Sequence, residues 1–352
     1  MFMNAEFFSA IADIEREKGI PQSYMLDKIE QALLAALKKD SPACQECARV
    51  ALDPSLKTVH MFLAKTVADP VTDPNSQLSL EQARRINAVA EVGDIVSETV
   101  DAKKFGRIAA QAAKQVIIQG IREAERGIVY DEFTSKEHEI LTGIVSRIEP
   151  RTGGVTIQIS SNTEYTEAML SPSERIPSET LREGDRIKVY VVEVRKSTRG
   201  PQVVISRTHP GLVKRLFELE VPEIFDGVVE IKSIAREAGS RTKIAVMSTD
   251  PDVDPIGACV GPKGGRVSTI VGELHGEKID IVKYSDVVEE YIASALAPSE
   301  VVGVTILDEG KSCRVVVPDN QLSLAIGKEG QNVRLAARLT GYKIDIKPAS
   351  QG

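Results

Sequence analysis

The sequence of 352 residues contains no tryptophan and is only 4% aromatic, which counts against a nucleic-acid grip built on long rows of stacked bases. Four cysteines (Cys44, Cys47, Cys259 and Cys313) are too few for a disulfide framework at this length and fit a reducing compartment. The longest purely apolar run covers residues 32–37, far short of the roughly 18 residues that span a bilayer, so no membrane segment is expected. The opening stretch, Met1-Phe2-Met3-Asn4-Ala5-Glu6, lacks the basic start and apolar core of a secretory signal, and the expected location is the cytoplasm. Charge of one sign is also scarce. The net charge of −7 divides into −4 over residues 1–133, +1 over 134–207 and −4 over 208–352. None of these is a basic domain that holds nucleic acid by bulk charge, so any such binding must come from locally placed groups.

What is present has the proportions of a globular chain of two or three domains, with 42% hydrophobic and 27% charged residues. Helical periodicity opens the sequence, with Phe7, Phe8, Ile11 and Ile14 on one face, and resumes over 24–37 after Pro21. Strand-like segments at 48–52 and 56–67 follow, then a turn-rich break over 69–75, a short helix at 79–87 and a strand at 94–100. The spacing of Phe105, Ile108, Ala112, Gln115 and Gln119 predicts a helix from 101 to about 126, with Gly127 as its stop. Between 139 and 207 the texture changes to alternation. Strands are expected at 140–148, 155–160, 164–170, 186–194 and 202–206, which suggests a small closed barrel of OB type.

The last third is an internal repeat. The segment 258–267 aligns with 324–333 at an offset of 66, and Lys278-Ile279-Asp280-Ile281 aligns with Lys343-Ile344-Asp345-Ile346 at an offset of 65. A G-x-x-G spacing alone is uninformative, since chance produces about two in a chain with this glycine content. Here both instances lie between predicted helices and lead to the same four-residue strand. Two glycines let a sugar-phosphate chain approach the backbone, and the next helix N-terminus offers amide donors and partial positive charge. That is the design of a KH module, which clamps about four nucleotides of single-stranded RNA. The candidate RNA-binding residues are Gly261, Pro262, Lys263, Gly264, Gly265 and Arg266 in the first loop. In the second they are Gly327, Lys328, Glu329, Gly330, Gln331, Asn332 and Arg334. Arg236, Arg241 and Lys243 fit a solvated face as well as an RNA contact. In the barrel, Arg147, Arg151, Arg186, Lys188, Arg195, Lys196 and Arg199 fit solubilising charges or an oligonucleotide face, on which Tyr165 and Tyr190 could stack if exposed.

Enzyme-like patterns fail on inspection. Gly310-Lys311-Ser312 resembles the end of a Walker loop, but Thr305 occupies the required glycine position. Asp250, Asp252 and Asp254 mimic a calcium loop, yet Pro255 and Gly261 stand where its glycine and bidentate glutamate belong. Cys44, Cys47 and His60 have zinc-like spacing without a fourth ligand. No catalytic residue, metal site or cofactor is expected.

The order of an α/β domain, a barrel and a doubled KH unit resembles the NusA family of bacterial transcription elongation, termination and antitermination factors. The most specific strings are Val221-Pro222-Glu223-Ile224, residues 235–246, residues 254–261 and residues 325–336. The resemblance implies a multidomain α/β chain in four parts. These are an N-terminal RNA polymerase-binding α/β domain (1–133), an OB-fold RNA-binding barrel of the ribosomal-protein kind (134–207), and two tandem type II (prokaryotic) KH domains (208–283 and 284–352). It further implies a non-enzymatic, cytoplasmic monomer. Its partners would be the RNA polymerase core, nascent single-stranded RNA and other Nus-type antitermination factors, and it would modulate pausing, intrinsic termination and antitermination. Some members carry acidic C-terminal repeats beyond the position of Lys347, and contacts attributed to those repeats are not expected here. Two competing readings are a phosphorolytic nuclease, which carries KH before barrel after a large catalytic core, and a ribosome-associated binding protein.

Overall fold

The computed structural model describes residues 5–40, 42–53, 55, 58–100, 102–161, 165–197, 200–307 and 310–351. It forms two compact units, residues 1–128 and 129–352. The first begins with helices α1 (Ala5–Lys18) and α2 (Gln22–Asp40). Met25, Ile29, Leu33 and Leu37 recur every four residues along α2, so they form a single stripe, and all four are completely buried. Against this stripe pack Ala48 and Val50 of β1 (Ala48–Asp53). Strand β2 (Thr58–Val67) pairs antiparallel with β1 and with β4 (Ile95–Thr99), and parallel with the short β3 (Gln77–Leu78). Helix α3 (Leu80–Ile86) starts at a capping box in which Ser79 and Gln82 satisfy each other's backbone amides.

Helix α4 (Ala102–Thr134) does not stop at Gly127 as the sequence suggested. Its final turns are held by tertiary packing. Phe133 is fully buried in the barrel core, with Val129 and Tyr130 packed beside it, and this outweighs the modest helix penalty of one glycine. The side chains of Phe105, Ile108 and Ala112 lie outside the described residues, as do Arg199 and the side chain of Cys44. Cys47 is disulfide-bonded and so is not a free thiolate for zinc.

The second unit opens with the barrel. Strands β5 (Ile140–Ile148), β6 (Val155–Ser160), β7 (Tyr165–Leu170), β8 (Arg186–Ser197) and β9 (Gly200–Ser206) close in the order β5-β6-β7-β9-β8. Alternation does the sorting: Val155, Ile157 and Ile159 point inward from β6 and are buried, while the residues between them are not.

Two copies of one α-β-β-α-α-β unit follow. The first comprises α5 (Pro210–Glu220), the short α6 (Pro222–Phe225), β10 (Val229–Glu237), β11 (Arg241–Ser248), α7 (Pro255–Val260), α8 (Gly265–Glu273) and β12 (Lys278–Lys283). The second comprises α9 (Val288–Ala295), β13 (Gly303–Leu307), β14 (Ser312–Val317), α10 (Leu322–Ile326), α11 (Gln331–Thr340) and β15 (Lys343–Pro348). In each sheet the central strand pairs antiparallel with the preceding strand and parallel with the last, which leaves β12 and β15 at an edge.

The copies stack. Ala235, Ala245 and Val282, on the face of the first sheet away from its own helices, are buried in one core with Tyr291, Ile292 and Ala295 of α9 and Leu335, Ala336 and Leu339 of α11. Aligning the sheets on Asp280 and Asp345 places Thr305, Val316 and Lys347 at the corresponding positions of the second sheet. The corresponding face of the second sheet therefore carries one apolar, one hydroxyl and one charged residue in place of three apolar ones.

Of the three basic residues read from sequence as solvated or RNA-facing, Arg236 and Lys243 are instead buried, while Arg241 is partly exposed and held in an ion pair. Arg236 makes a two-bonded ion pair with Glu277 (2.9 Å each), and both side chains are essentially buried. Lys243 is fully buried, 3.1 Å from Asp280 and donating to the Ala297 carbonyl at 2.7 Å, and Arg241 grips the same Asp280. Burial disfavours a charged Asp280, but the hydrogen bonds and charges of Arg241 and Lys243 win and keep its pKa below the ordinary carboxylate value. Barrel and first KH unit are joined by a similar device. Arg207, wholly buried, pairs with the equally buried Glu179 at 2.8 Å and donates to the carbonyls of Lys188 and Glu273.

Arg207→Ala leaves Glu179 buried with its principal counter-charge gone. It should lower unfolding free energy by about 3–5 kcal/mol in chemical denaturation of the full chain; a loss below about 1 kcal/mol would mean the pair is not the joint described.

Candidate nucleic-acid interface

Each G-x-x-G forms a sharp elbow between two helices, and the two elbows have nearly the same backbone. Gly261 (φ 72°, ψ 175°), Lys263 (52°, 27°) and Gly264 (75°, 14°) correspond to Gly327 (76°, 173°), Glu329 (54°, 26°) and Gly330 (74°, 16°). Three positive φ values in four residues explain the glycines, because residues with a Cβ enter this region only at a cost. The two glycines of each elbow nevertheless differ in surroundings. A Cβ on Gly264 or Gly330 would meet nothing within 4 Å, whereas one on Gly261 or Gly327 would strike Arg266 or Asn332 at 2.6–2.8 Å. The second glycine therefore faces open space and the first is packed.

Helices α8 and α11 begin directly after the elbows, and neither has a side-chain cap at its N-terminus. The N–H groups of Gly264 and Gly265 donate to the Gly261 and Pro262 carbonyls, and those of Gly330 and Gln331 to the Gly327 and Lys328 carbonyls, so the positive end of each helix dipole lies beside the elbow with no side-chain cap. Lys263 and Lys328 are exposed and form no ion pair among the described residues, and Pro262 and Glu329 are exposed beside them.

Alongside each elbow runs a free sheet edge. Ile279 and Ile281 of β12 are half-buried against the same core as Ile256 and Ala258 of α7, and Ile344 and Ile346 of β15 lie likewise beside Leu322 of α10. These strands were absent from the sequence-based site. Their signal was the Lys-Ile-Asp-Ile motif repeated with the loops.

The remaining loop residues divide. Arg266 is partly buried, donating to the Ala258 carbonyl at 2.6 Å and pairing with Glu223 at 2.9 Å. Asn332 is buried, its amide nitrogen directed at the carbonyls of Leu296, Ala325 and Leu324. Gln331 and Arg334 lie near the surface but reach across to the first KH unit. Arg334 makes two bonds to Glu237 (2.6 and 3.0 Å), while Gln331 bonds Glu237 and Ser240. Hydrogen bonding from Arg334 dominates over partial burial and, with Gln331, holds the Glu237 carboxyl at a pKa of about 2.

In the barrel, Tyr165 is 68% exposed, but Tyr190 is only 6% exposed and stacks on His209 at 4.7 Å, so it is no open platform. Several barrel charges are locally engaged: Lys188 with Glu273, Arg195 with Glu193, Arg147 with Glu149, and Lys196 over the Tyr130 ring. Among the described residues no cluster of His, Cys, Asp or Glu could hold a metal, and no helix is long and apolar enough to cross a membrane.

Family models match consecutive stretches of the chain: the NusA N-terminal domain over 6–127, the S1 RNA binding domain over 134–206, and the NusA-like first and second KH domains over 207–284 and 288–352. The transcription termination/antitermination protein NusA of Halalkalibacterium halodurans is 53% identical over 349 residues, covering 99% of this chain and 90% of the relative. This chain belongs to the NusA family. The NusA of Bacillus subtilis is 52% identical over 345 residues, covering 98% of this chain and 91% of that one. A solution structure of the N-terminal domain of NusA from B. subtilis is 41% identical and covers 35% of this chain and 98% of that one, with a TM-score of 0.31. Within the NusA architecture, the barrel is the S1 module and the elbows belong to the paired KH modules.

Because the folded pKa of Glu237 is depressed, its stabilisation is fully present above the unfolded value near 4.5 and is lost as pH falls toward about 2. Wild type should therefore exceed Glu237→Gln in thermal midpoint at neutral pH, with the gap closing through that acid window. A gap that persisted undiminished below pH 2 would contradict the carboxylate clamp.

Proposed function

We propose that this chain is a bacterial transcription elongation factor that anchors to the RNA polymerase core and holds nascent single-stranded RNA, thereby modulating pausing, intrinsic termination and antitermination. The observation that carries the RNA half is the pair of near-superimposable elbows, each with an open second glycine, an uncapped helix start and an unpaired lysine beside a free strand edge. Such a site suits a flexible, single-stranded chain. Phosphates approach the main-chain amides while bases lie along the apolar strip, and the free edge offers backbone groups to their Watson–Crick edges.

Gly261, Pro262, Lys263, Gly264 and Gly265 form the first contact surface, and Gly327, Lys328, Glu329, Gly330 and Gln331 the second, with Arg334 at its rim. Lys263 makes the first elbow the stronger charge clamp. At the equivalent position Glu329 repels phosphate, so the second elbow relies more on hydrogen bonding. The net negative charge of the region makes RNA affinity modest. The N-terminal domain, residues 1–133, compensates by tethering the clamp to polymerase and raising its effective concentration beside emerging RNA. Family membership supports this reading, and other Nus-type antitermination factors are the natural further partners. The protein acts as a cytoplasmic monomer without catalysis or cofactor, shifting transcript folding by binding alone.

Replacing Lys263 and Lys328 together by Asp should weaken binding of a single-stranded oligoribonucleotide. Each lost phosphate contact should also flatten the slope of log affinity against log salt by about 0.7, while co-purification with RNA polymerase is unaffected. Unchanged affinity across a filter-binding salt series would reject the assignment of the loops.

A further inference from the structure

The offset of 66 that superimposes Gly261 on Gly327 also superimposes Arg266 on Asn332, and Ala258 on Leu324. These unlike side chains then perform one task. Arg266 turns back across its elbow to the Ala258 carbonyl, at the C-terminal end of α7. Asn332 turns back across its own to the Leu324 and Ala325 carbonyls, at the C-terminal end of α10. Both tie together the two helices that the elbow joins, and both satisfy carbonyls that a helix end leaves without partners. We infer that Arg266 and Asn332 are positioning residues, staples that hold each elbow in its RNA-ready shape without touching RNA. The inference rests on the RNA-binding reading above and refines it.

Three observations converge on this role. The packed first glycine of each elbow is packed against the staple itself: a Cβ at Gly261 would stand 2.6 Å from Arg266 Cγ, and one at Gly327 would stand 2.8 Å from both the Cβ and the backbone nitrogen of Asn332. Those glycines thus make room for the staple, while Gly264 and Gly330 keep the surface open. Asn332 is buried, and its Oδ1 has no hydrogen-bond partner among the described residues. Leaving a buried acceptor unsatisfied is costly, and the arrangement is offset by what the amide nitrogen does at its three carbonyls. Finally, the Arg266 guanidinium is already paired with Glu223 at 2.9 Å, so its charge is compensated, unlike that of Lys263.

The test uses the full chain, a fluorescently labelled single-stranded oligoribonucleotide of mixed sequence, and a salt titration of Arg266→Ala, Arg266→Asn, Asn332→Ala and Lys263→Ala. A staple raises affinity by keeping the competent shape populated, so Arg266→Ala should bind about tenfold more weakly with the wild-type salt slope. Lys263→Ala should lose about 0.7 of slope instead. Arg266→Asn, which imports the solution of the second repeat, should recover most of the lost affinity. Backbone amide exchange at 261–265 should quicken in Arg266→Ala, and at 327–331 in Asn332→Ala, but not in Lys263→Ala. A slope reduced in Arg266→Ala as in Lys263→Ala would make Arg266 a phosphate contact and overturn the inference, as would unchanged affinity with unchanged exchange. If Lys263→Ala left RNA binding intact, the RNA-binding reading itself would fall, while the exchange measurement would still decide whether the staple exists.

Discussion

The arrangement depends on a backbone constraint: three residues at positive φ packed into four positions between two short helices, twice over. That conformation turns the chain sharply enough to leave a helix N-terminus uncapped at the surface. It also costs conformational free energy, since Lys263 and Glu329 are not glycines and sit in the left-handed region. Something must hold it. In each copy that restraint comes from a side chain crossing the elbow, Arg266 in one and Asn332 in the other, and the packed first glycine is a consequence of it.

The second requirement is a fixed relation between the two elbows. Stacking helices α9 and α11 on the back of the first sheet buries Ala235, Ala245 and Val282, and Glu237 adds a directional tie from the first unit to Gln331 and Arg334 beside the second elbow. Barrel and first KH unit are joined through Arg207, which is held by the buried Glu179 and donates to the Glu273 carbonyl. Buried pairs of this kind add little net stability compared with apolar packing, but each is expensive to break on one side. Their effect is to exclude other arrangements of the modules.

Much of this was legible in the sequence because repetition is a strong signal. The shared offset exposed the two elbows, alternation exposed the barrel strands, and helical periodicity over 24–37 exposed α2. What could not be read were coverings made by residues far away in the chain. Tyr190 looks like an outward-facing aromatic until His209 stacks on it, and Lys243 looks solvated until the turn at Ala297 closes over it. Gly127 looks like a helix stop because nothing local reveals that Phe133 is anchored in the barrel. Residue type misled in the loops for a similar reason. Arg266 and Arg334 look alike as cations after a glycine pair, yet the true counterpart of Arg266 is Asn332, and what the two share is a target carbonyl and not a charge.

The account stands or falls on main-chain amides of the elbows meeting RNA. Amide hydrogen exchange of the full chain with and without a saturating single-stranded oligoribonucleotide tests this directly. Slowed exchange is predicted at 264–267 and 330–333 and along β12 and β15, with little change on the outer face of the second sheet around Thr305 and Lys347. Protection confined to the barrel or to that outer face, with both elbows exchanging as before, would contradict it.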